Sequence, residues 1–87
     1  MKIRKKPLGN MNILGRTITR LRKEQGIKQK DLLAKIQAEG MDINGSDLSK
    51  IEGQTRMVSD KELQILAKCL KVDVNELLAE EQADHSN

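Results

Sequence analysis

Three times in this chain an apolar residue precedes a helix-capping residue, an acid stands three places after the cap, and a second apolar residue follows the acid. The runs are Ile43-Asn44-Gly45-Ser46-Asp47-Leu48, Val58-Ser59-Asp60-Lys61-Glu62-Leu63 and Val72-Asp73-Val74-Asn75-Glu76-Leu77. In such a run the cap oxygen accepts from backbone N–H groups that have no partner inside the helix, and the acid reaches back to the cap N–H. The flanking apolar pair staples the first turn to the body of the protein. Three helix starts between residues 43 and 77 leave room only for short helices, and no comparable strand pattern competes with them. The chain is predicted to be all-α.

Two more helices precede these. Leu14, Ile18 and Leu21 fall at i, i+4 and i+7, one stripe of a helix expected from about residue 10, and Gly26 should end it as a left-handed cap. A second helix is expected from residue 28 or 29 to residue 39, burying Leu32, Leu33 and Ile36 and stopping at Gly40. The third follows Asn44 and buries Leu48 and Ile51 before Gly53; the fourth follows Ser59 with Leu63, Leu66, Ala67 and Leu70 on one face. The fifth follows Asp73 and buries Leu77, with Leu78 beside it. The expected organisation is a compact bundle of five short helices over residues 10–79. A flexible basic arm over residues 1–9 precedes it, with Lys2, Arg4, Lys5, Lys6 and Pro7, and a polar tail over residues 80–87 follows.

Apolar residues make up 37% of the chain and none is aromatic, so the core must be aliphatic. A length of 87 residues suits one small domain without a separate catalytic or ligand-sensing one. The single cysteine cannot form an internal disulfide, and nothing resembles a signal peptide or a membrane span, so a cytoplasmic location is expected. His85 lies in the polar tail and Cys69 stands alone in the fourth helix. Neither has a second ligand or base at useful spacing, so Cys69 reads as packing and no metal, cofactor or catalytic chemistry is expected.

Charge divides the chain. Residues 1–30 hold ten Lys or Arg against one acid, whereas residues 31–56 sum to −2 and residues 57–87 to −4. One end suits a polyanion and the other something else, a second copy of the chain being one candidate.

Residues 29–56 read as two amphipathic helices joined by a short connection, the second opening on polar residues, which is the pattern of a helix-turn-helix. A helix about 10 to 12 Å wide fits the major groove of B-DNA, and its first turn must be small or polar for the backbone to approach the base edges. Asn44, Gly45, Ser46 and Ser49 meet that requirement. Structural roles compete with it: Asn44 is first of all a cap, and Asp47, which repels phosphate, reads as its reciprocal partner. Gly45 costs up to about 1 kcal/mol relative to Ala, a destabilising choice that hints at a steric demand from a partner. Single-stranded nucleic acids are usually gripped by stacking on aromatic rings, so duplex DNA stands ahead of RNA here, with arginine stacking as the remaining route to single strands.

The run Leu21-Arg22-Lys23-Glu24-Gln25-Gly26-Ile27-Lys28-Gln29, then Asp31-Leu32-Leu33, Leu48-Ser49-Lys50-Ile51-Glu52, Thr55-Arg56, Leu66-Ala67-Lys68 and Val74-Asn75-Glu76-Leu77, resembles the phage-repressor-like (Cro and XRE type) helix-turn-helix DNA-binding domains in order and over about residues 12 to 78. The resemblance implies the lambda-repressor-like fold. It makes Gln29 a contact to the DNA backbone that also braces the recognition helix, with Lys30 beside it among the DNA-facing residues. Asn44, Gly45, Ser46 and Ser49 would face base edges with Lys50 on the flank, and Gln54, Thr55 and Arg56 would meet phosphates. Arg22 and Glu52 would form a structural ion pair. Two features depart from the pattern. The stretch from Gln29 to Leu48 is roughly five residues longer than the commonest spacing, where the connection itself is about 3 to 4 residues, and Lys28 stands where a Ser or Thr cap is common.

The function expected on these grounds is a sequence-specific double-stranded DNA-binding transcriptional regulator, a small repressor acting as a homodimer, since one helix-turn-helix reaches too few bases alone. The alternative is a protein-interaction module, such as an antitoxin or a phage-type regulator whose main partner is another protein.

Overall fold

The computed structural model describes residues 7–79. Five helices follow one another: α1 (Gly15–Glu24), α2 (Gln29–Ala38), α3 (Gly45–Glu52), α4 (Asp60–Leu70) and α5 (Val74–Leu78). No strand occurs among the described residues, and no helix there is long and apolar enough to cross a membrane. Residues 1–6 of the expected basic arm and the expected tail over residues 80–87 lie outside the described residues.

Local chemistry sets both ends of the helices. Asn44 Oδ1 accepts from Asp47 N–H at 2.9 Å while Asp47 Oδ2 accepts from Asn44 N–H at 3.0 Å, and Ser59 and Glu62 make the same exchange at the start of α4 at 3.2 and 3.0 Å. The third run is only half completed: Asp73 Oδ1 accepts from Asn75 N–H at 3.0 Å, and α5 extends for five residues. Lys28 opens α2 without a side-chain cap.

The first four helices end in one pattern, in which two consecutive N–H groups fold back on the last turn. Gly26 and Ile27 donate to Lys23 O and Arg22 O; Gly40 and Met41 to Gln37 O and Ile36 O; Gln54 and Thr55 to Ile51 O and Lys50 O; Lys71 and Val72 to Lys68 O and Ala67 O. Each pattern turns on one residue of positive φ, which is Gly26 (70°), Gly40 (96°), Gln54 (61°) or Lys71 (60°). Glycine takes this conformation without a Cβ penalty at the first two; Gln54 and Lys71 take it at a cost. The third helix ends before Gly53, as expected, and its left-handed residue is Gln54, one place later.

The core is aliphatic. Ile18, Leu32, Ile36, Leu48, Ile51, Leu66, Leu70 and Leu77 are wholly buried, while Leu33 and Leu63 are only partly so and Leu78 is exposed. α3 packs on α1 and α2, α4 reaches both α1 and α2, and α5 lies on α4. Gln25 Nε2 donates to Leu70 O at 2.7 Å, joining the end of α1 to the end of α4. The stretch between α2 and α3 is held down on the core. Met41 and Ile43 are buried, and Gln37 Nε2 donates to Ile43 O at 2.8 Å.

The first helix starts later than its apolar stripe suggests. Asn12 Oδ1 accepts from Leu14 N–H (2.8 Å) and Gly15 N–H (3.0 Å), forming a turn that precedes α1, and Asn12 Nδ2 donates across to Ile51 O (3.2 Å) and Arg56 O (2.8 Å). Gly9, expected to be the last residue of the arm, is fixed to the bundle: its N–H donates to Gly53 O at 2.8 Å and its carbonyl accepts from Gln54 Nε2 at 3.1 Å.

Candidate functional site

Glu52 closes α3 and is the polar centre of the molecule. Its Oε2 accepts from Arg22 Nε at 2.8 Å, and its Oε1 accepts from Arg22 Nη2 (3.1 Å), Thr19 Oγ1 (3.2 Å) and Gln29 Nε2 (3.0 Å). The ion pair implied by the resemblance is therefore present, with side-chain exposures of only 12% for Arg22 and 4% for Glu52. A buried pair of this kind is strongly destabilised by the loss of one partner, whatever its net worth. Arg22 Nη1 also donates to Ile27 O at 3.0 Å, so α1, α2 and α3 meet at this carboxylate.

Gln29, at the first position of α2, carries the network outward. Its Oε1 lies 3.4 Å from Ser49 Oγ, so the amide bridges the buried Glu52 and the exposed face of α3. On that face Asn44, Gly45, Ser46, Ser49 and Lys50 are all exposed. Asn44 uses its oxygen for the cap, while its NH₂ has no partner among the described residues. A Cβ built on Gly45 would find only Leu33 Cδ2, at 4.0 Å. Lys28 and Lys30 flank Gln29 and are exposed, as is Arg16 at the start of α1; none of the three forms an ion pair or side-chain hydrogen bond among the described residues.

In the loop after α3, where Gln54, Thr55 and Arg56 are expected to meet phosphates, all three side chains have partners within the fold. Gln54 Oε1 accepts from Arg16 N–H at 3.2 Å and its Nε2 bonds to Gly9, so this side chain ties the start of α1 to the loop. Arg56 is tied to the start of α4. Its Nη1 and Nη2 donate to the two oxygens of Glu62 at 3.0 Å each, and Nη1 also donates to Met57 O at 2.9 Å. These bonds raise the Arg56 pKa and lower that of Glu62, the hydrogen bond between them being the largest cause in both directions. Thr55 stays exposed, its Oγ1 donating to Lys50 O at 3.4 Å.

Asn12, Gly15 and Thr19 were not anticipated at all. The Asn12 turn had a signal, an Asx residue two places before Leu14, but the stripe beginning at Leu14 outweighed it. Gly15 has none: a Cβ there would press on the Glu52 carbonyl oxygen and lie 2.7 Å from Ile51 O, a contact made by residues far away in sequence. Cys69 is buried, and burial pushes its thiol pKa up, away from the reactive thiolate. Among the described residues no group of three His, Cys, Asp or Glu could hold a metal ion. Comparison of the chain with protein-family models, with curated proteins and with solved structures finds no match.

Proposed function

We propose that this chain is a sequence-specific double-stranded DNA-binding protein, a small non-catalytic transcriptional repressor that works as a homodimer. In this reading α2 and α3 are the two halves of a helix-turn-helix, and α3 enters the major groove by its N-terminus. The observation that carries it is Gly45. The fold gives no reason for a glycine there, since a Cβ would meet only Leu33 Cδ2, at an ordinary van der Waals distance of 4.0 Å, whereas a backbone that must approach base edges does give one. The exposed Ser46, Ser49 and Lys50 on the same helix are groups that hydrogen-bond bases and phosphates, and Lys28, Lys30 and Arg16 are exposed cations with no side-chain partner among the described residues. Dimerisation follows from the small number of bases one such helix reaches, two half-sites about 34 to 36 Å apart being the usual remedy.

A second reading, docking on a protein partner, is favoured by exposed apolar side chains. Met57 is 68% exposed, Met11 and Ile13 are nearly half exposed, and the bonds from Met11 N–H to Gln54 O and from Asn12 Nδ2 to Arg56 O hold these segments together. Selection of binding sites from a random duplex pool, followed by titration across salt, separates the two. The first reading requires an enriched, two-fold related sequence and, for a dimer, a slope of log K against log salt steeper than about −3, at about −0.9 per neutralised phosphate. No enrichment and a shallow slope would favour the second.

A further inference from the structure

Hydrogen-bond polarity runs in one direction from the core to the surface of α3. The Glu52 carboxylate, held by Arg22, offers only acceptors, so the Gln29 group 3.0 Å from it is the NH₂ end of the amide. The other end of that amide is then its oxygen, and this oxygen faces Ser49 Oγ at 3.4 Å, the longest contact of the set. An amide oxygen has no proton to give, so Ser49 is the donor. A serine hydroxyl carries one proton, and with that proton turned toward Gln29 only lone pairs face outward.

Those lone pairs sit beside the glycine. Ser49 lies one helical turn after Gly45 on the same stripe of α3, and Leu33 lies one turn after Gln29 on α2. The Gln29–Ser49 bond and the 4.0 Å approach of Leu33 Cδ2 to a Cβ on Gly45 run these two edges alongside each other. A base edge brought to the Gly45 backbone would therefore have Ser49 one turn further along the same stripe, as an acceptor.

We propose that Ser49 is an acceptor-only reader of the major groove, accepting a hydrogen bond from an exocyclic amino group, N6 of adenine or N4 of cytosine, and that Gln29 is the positioning residue that imposes this polarity under the control of Glu52. The proposal rests on the DNA-binding reading above and adds the chemistry of one contact. A free serine reads either base class; a serine whose proton is committed refuses the acceptor-only edges of guanine and of the thymine carbonyl.

The test uses the full chain. Operators are selected from a random duplex pool, and the base pair at which Ser49→Ala relaxes preference is located. The duplex is then rebuilt at that pair without the amino group, with purine for adenine or pyrimidin-2-one for cytosine, and separately with a 7-deazapurine that lacks the N7 acceptor. Loss of the amino group is expected to weaken the wild-type protein roughly 5- to 100-fold more than it weakens Ser49→Ala, the shared cost of a poorer base pair cancelling between the two proteins. Loss of N7 should affect both alike. Gln29→Ala frees the serine proton and should shrink the amino-group penalty while leaving Glu52 its bonds to Arg22 and Thr19, so thermal melting shows a folded protein. A wild-type penalty that follows N7 and not the amino group overturns the proposal, as does a Ser49→Ala protein that relaxes no position of an operator it still binds; both leave the DNA-binding reading intact. A pool that yields no enriched sequence removes that reading, and with it any base for Ser49 to read.

Discussion

Arg56 and Glu62 face each other through two parallel hydrogen bonds of 3.0 Å, and the same carboxylate accepts the Ser59 N–H at 3.0 Å. The fork of the arginine thus closes on a helix cap, and the loop after α3 is fastened to the start of α4. Paired geometry of this kind is the strong form of a surface ion pair.

Removing Arg56 should therefore cost stability. With side chains 27% and 23% exposed, the pair is worth about 1 kcal/mol rather than the several of a buried one. The pH dependence has a definite sign. Arg56 lowers the Glu62 pKa below its unfolded value, so the contribution is complete above the ordinary carboxylate range and is lost as pH falls through the depressed folded value. Urea denaturation of the wild type and Glu62→Gln should show a gap of about 1 kcal/mol at pH 7 that narrows as pH falls below the ordinary carboxylate range. A gap that widens in acid would reverse the assignment.

Two non-glycine residues with nearly the same left-handed φ should respond oppositely to glycine. Lys71 is exposed and its side chain bonds to nothing among the described residues, so Lys71→Gly relieves the Cβ penalty and should stabilise by about 0.5 to 1 kcal/mol. Gln54→Gly relieves the same penalty but removes the bonds to Arg16 N–H and Gly9 O, each worth about 1 kcal/mol. It should destabilise. Chemical denaturation of both variants checks the pair, and equal signs would mean that the Gln54 side chain contributes nothing.

These two residues also mark where the sequence stops being legible. Helix starts at Asn44, Ser59 and Asp73, and stops at Gly26 and Gly40, could be read because capping is decided within a few neighbouring residues. The left-handed turns at Gln54 and Lys71 could not, because what holds the first is a pair of bonds to residues 38 and 45 positions away. The same holds at the candidate site. Arg22 with Glu52 was expected through a family pattern, whereas the capture of Arg56 by Glu62 had no pattern behind it, although a Glu six places on at an expected cap was in plain view. The late start of α1 belongs here too, since the Asn12 turn draws on carbonyls at the end of α3 and just after it.

Thr17 lies within α1, 1% exposed, and its hydroxyl has no hydrogen-bond partner among the described residues. An unpaired buried hydroxyl costs about 1 to 3 kcal/mol in proteins. Thr17→Val keeps the shape and deletes the polar atom, so the unfolding midpoint should rise, by about 1 kcal/mol in free energy after the small loss from a stiffer helix residue. Thr17→Ala should fall instead, because it empties part of the core. A Thr17→Val protein less stable than the wild type would show that the hydroxyl is satisfied in solution, by a bound water for example.

Two helices open on glycine, and their surroundings predict opposite outcomes. At Gly15 a Cβ would press on the carbonyl of Glu52 and stand 2.7 Å from that of Ile51, so α1 and the end of α3 would have to separate. Gly15→Ala should cost at least about 2 kcal/mol. At Gly45 the nearest atom is Leu33 Cδ2 at 4.0 Å, so Gly45→Ala should be neutral or stabilising by up to about 1 kcal/mol. Stability and binding then part company. If α3 enters the groove by its first turn, Gly45→Leu places a large side chain between backbone and base edges, and specific affinity should fall by at least about tenfold while the protein melts no lower. Thermal melting beside binding titrations against the selected operator reads both. A Gly45→Leu protein that keeps its fold and its operator affinity would falsify the placement of α3 in the groove, leaving the glycine with no explanation either inside the chain or outside it.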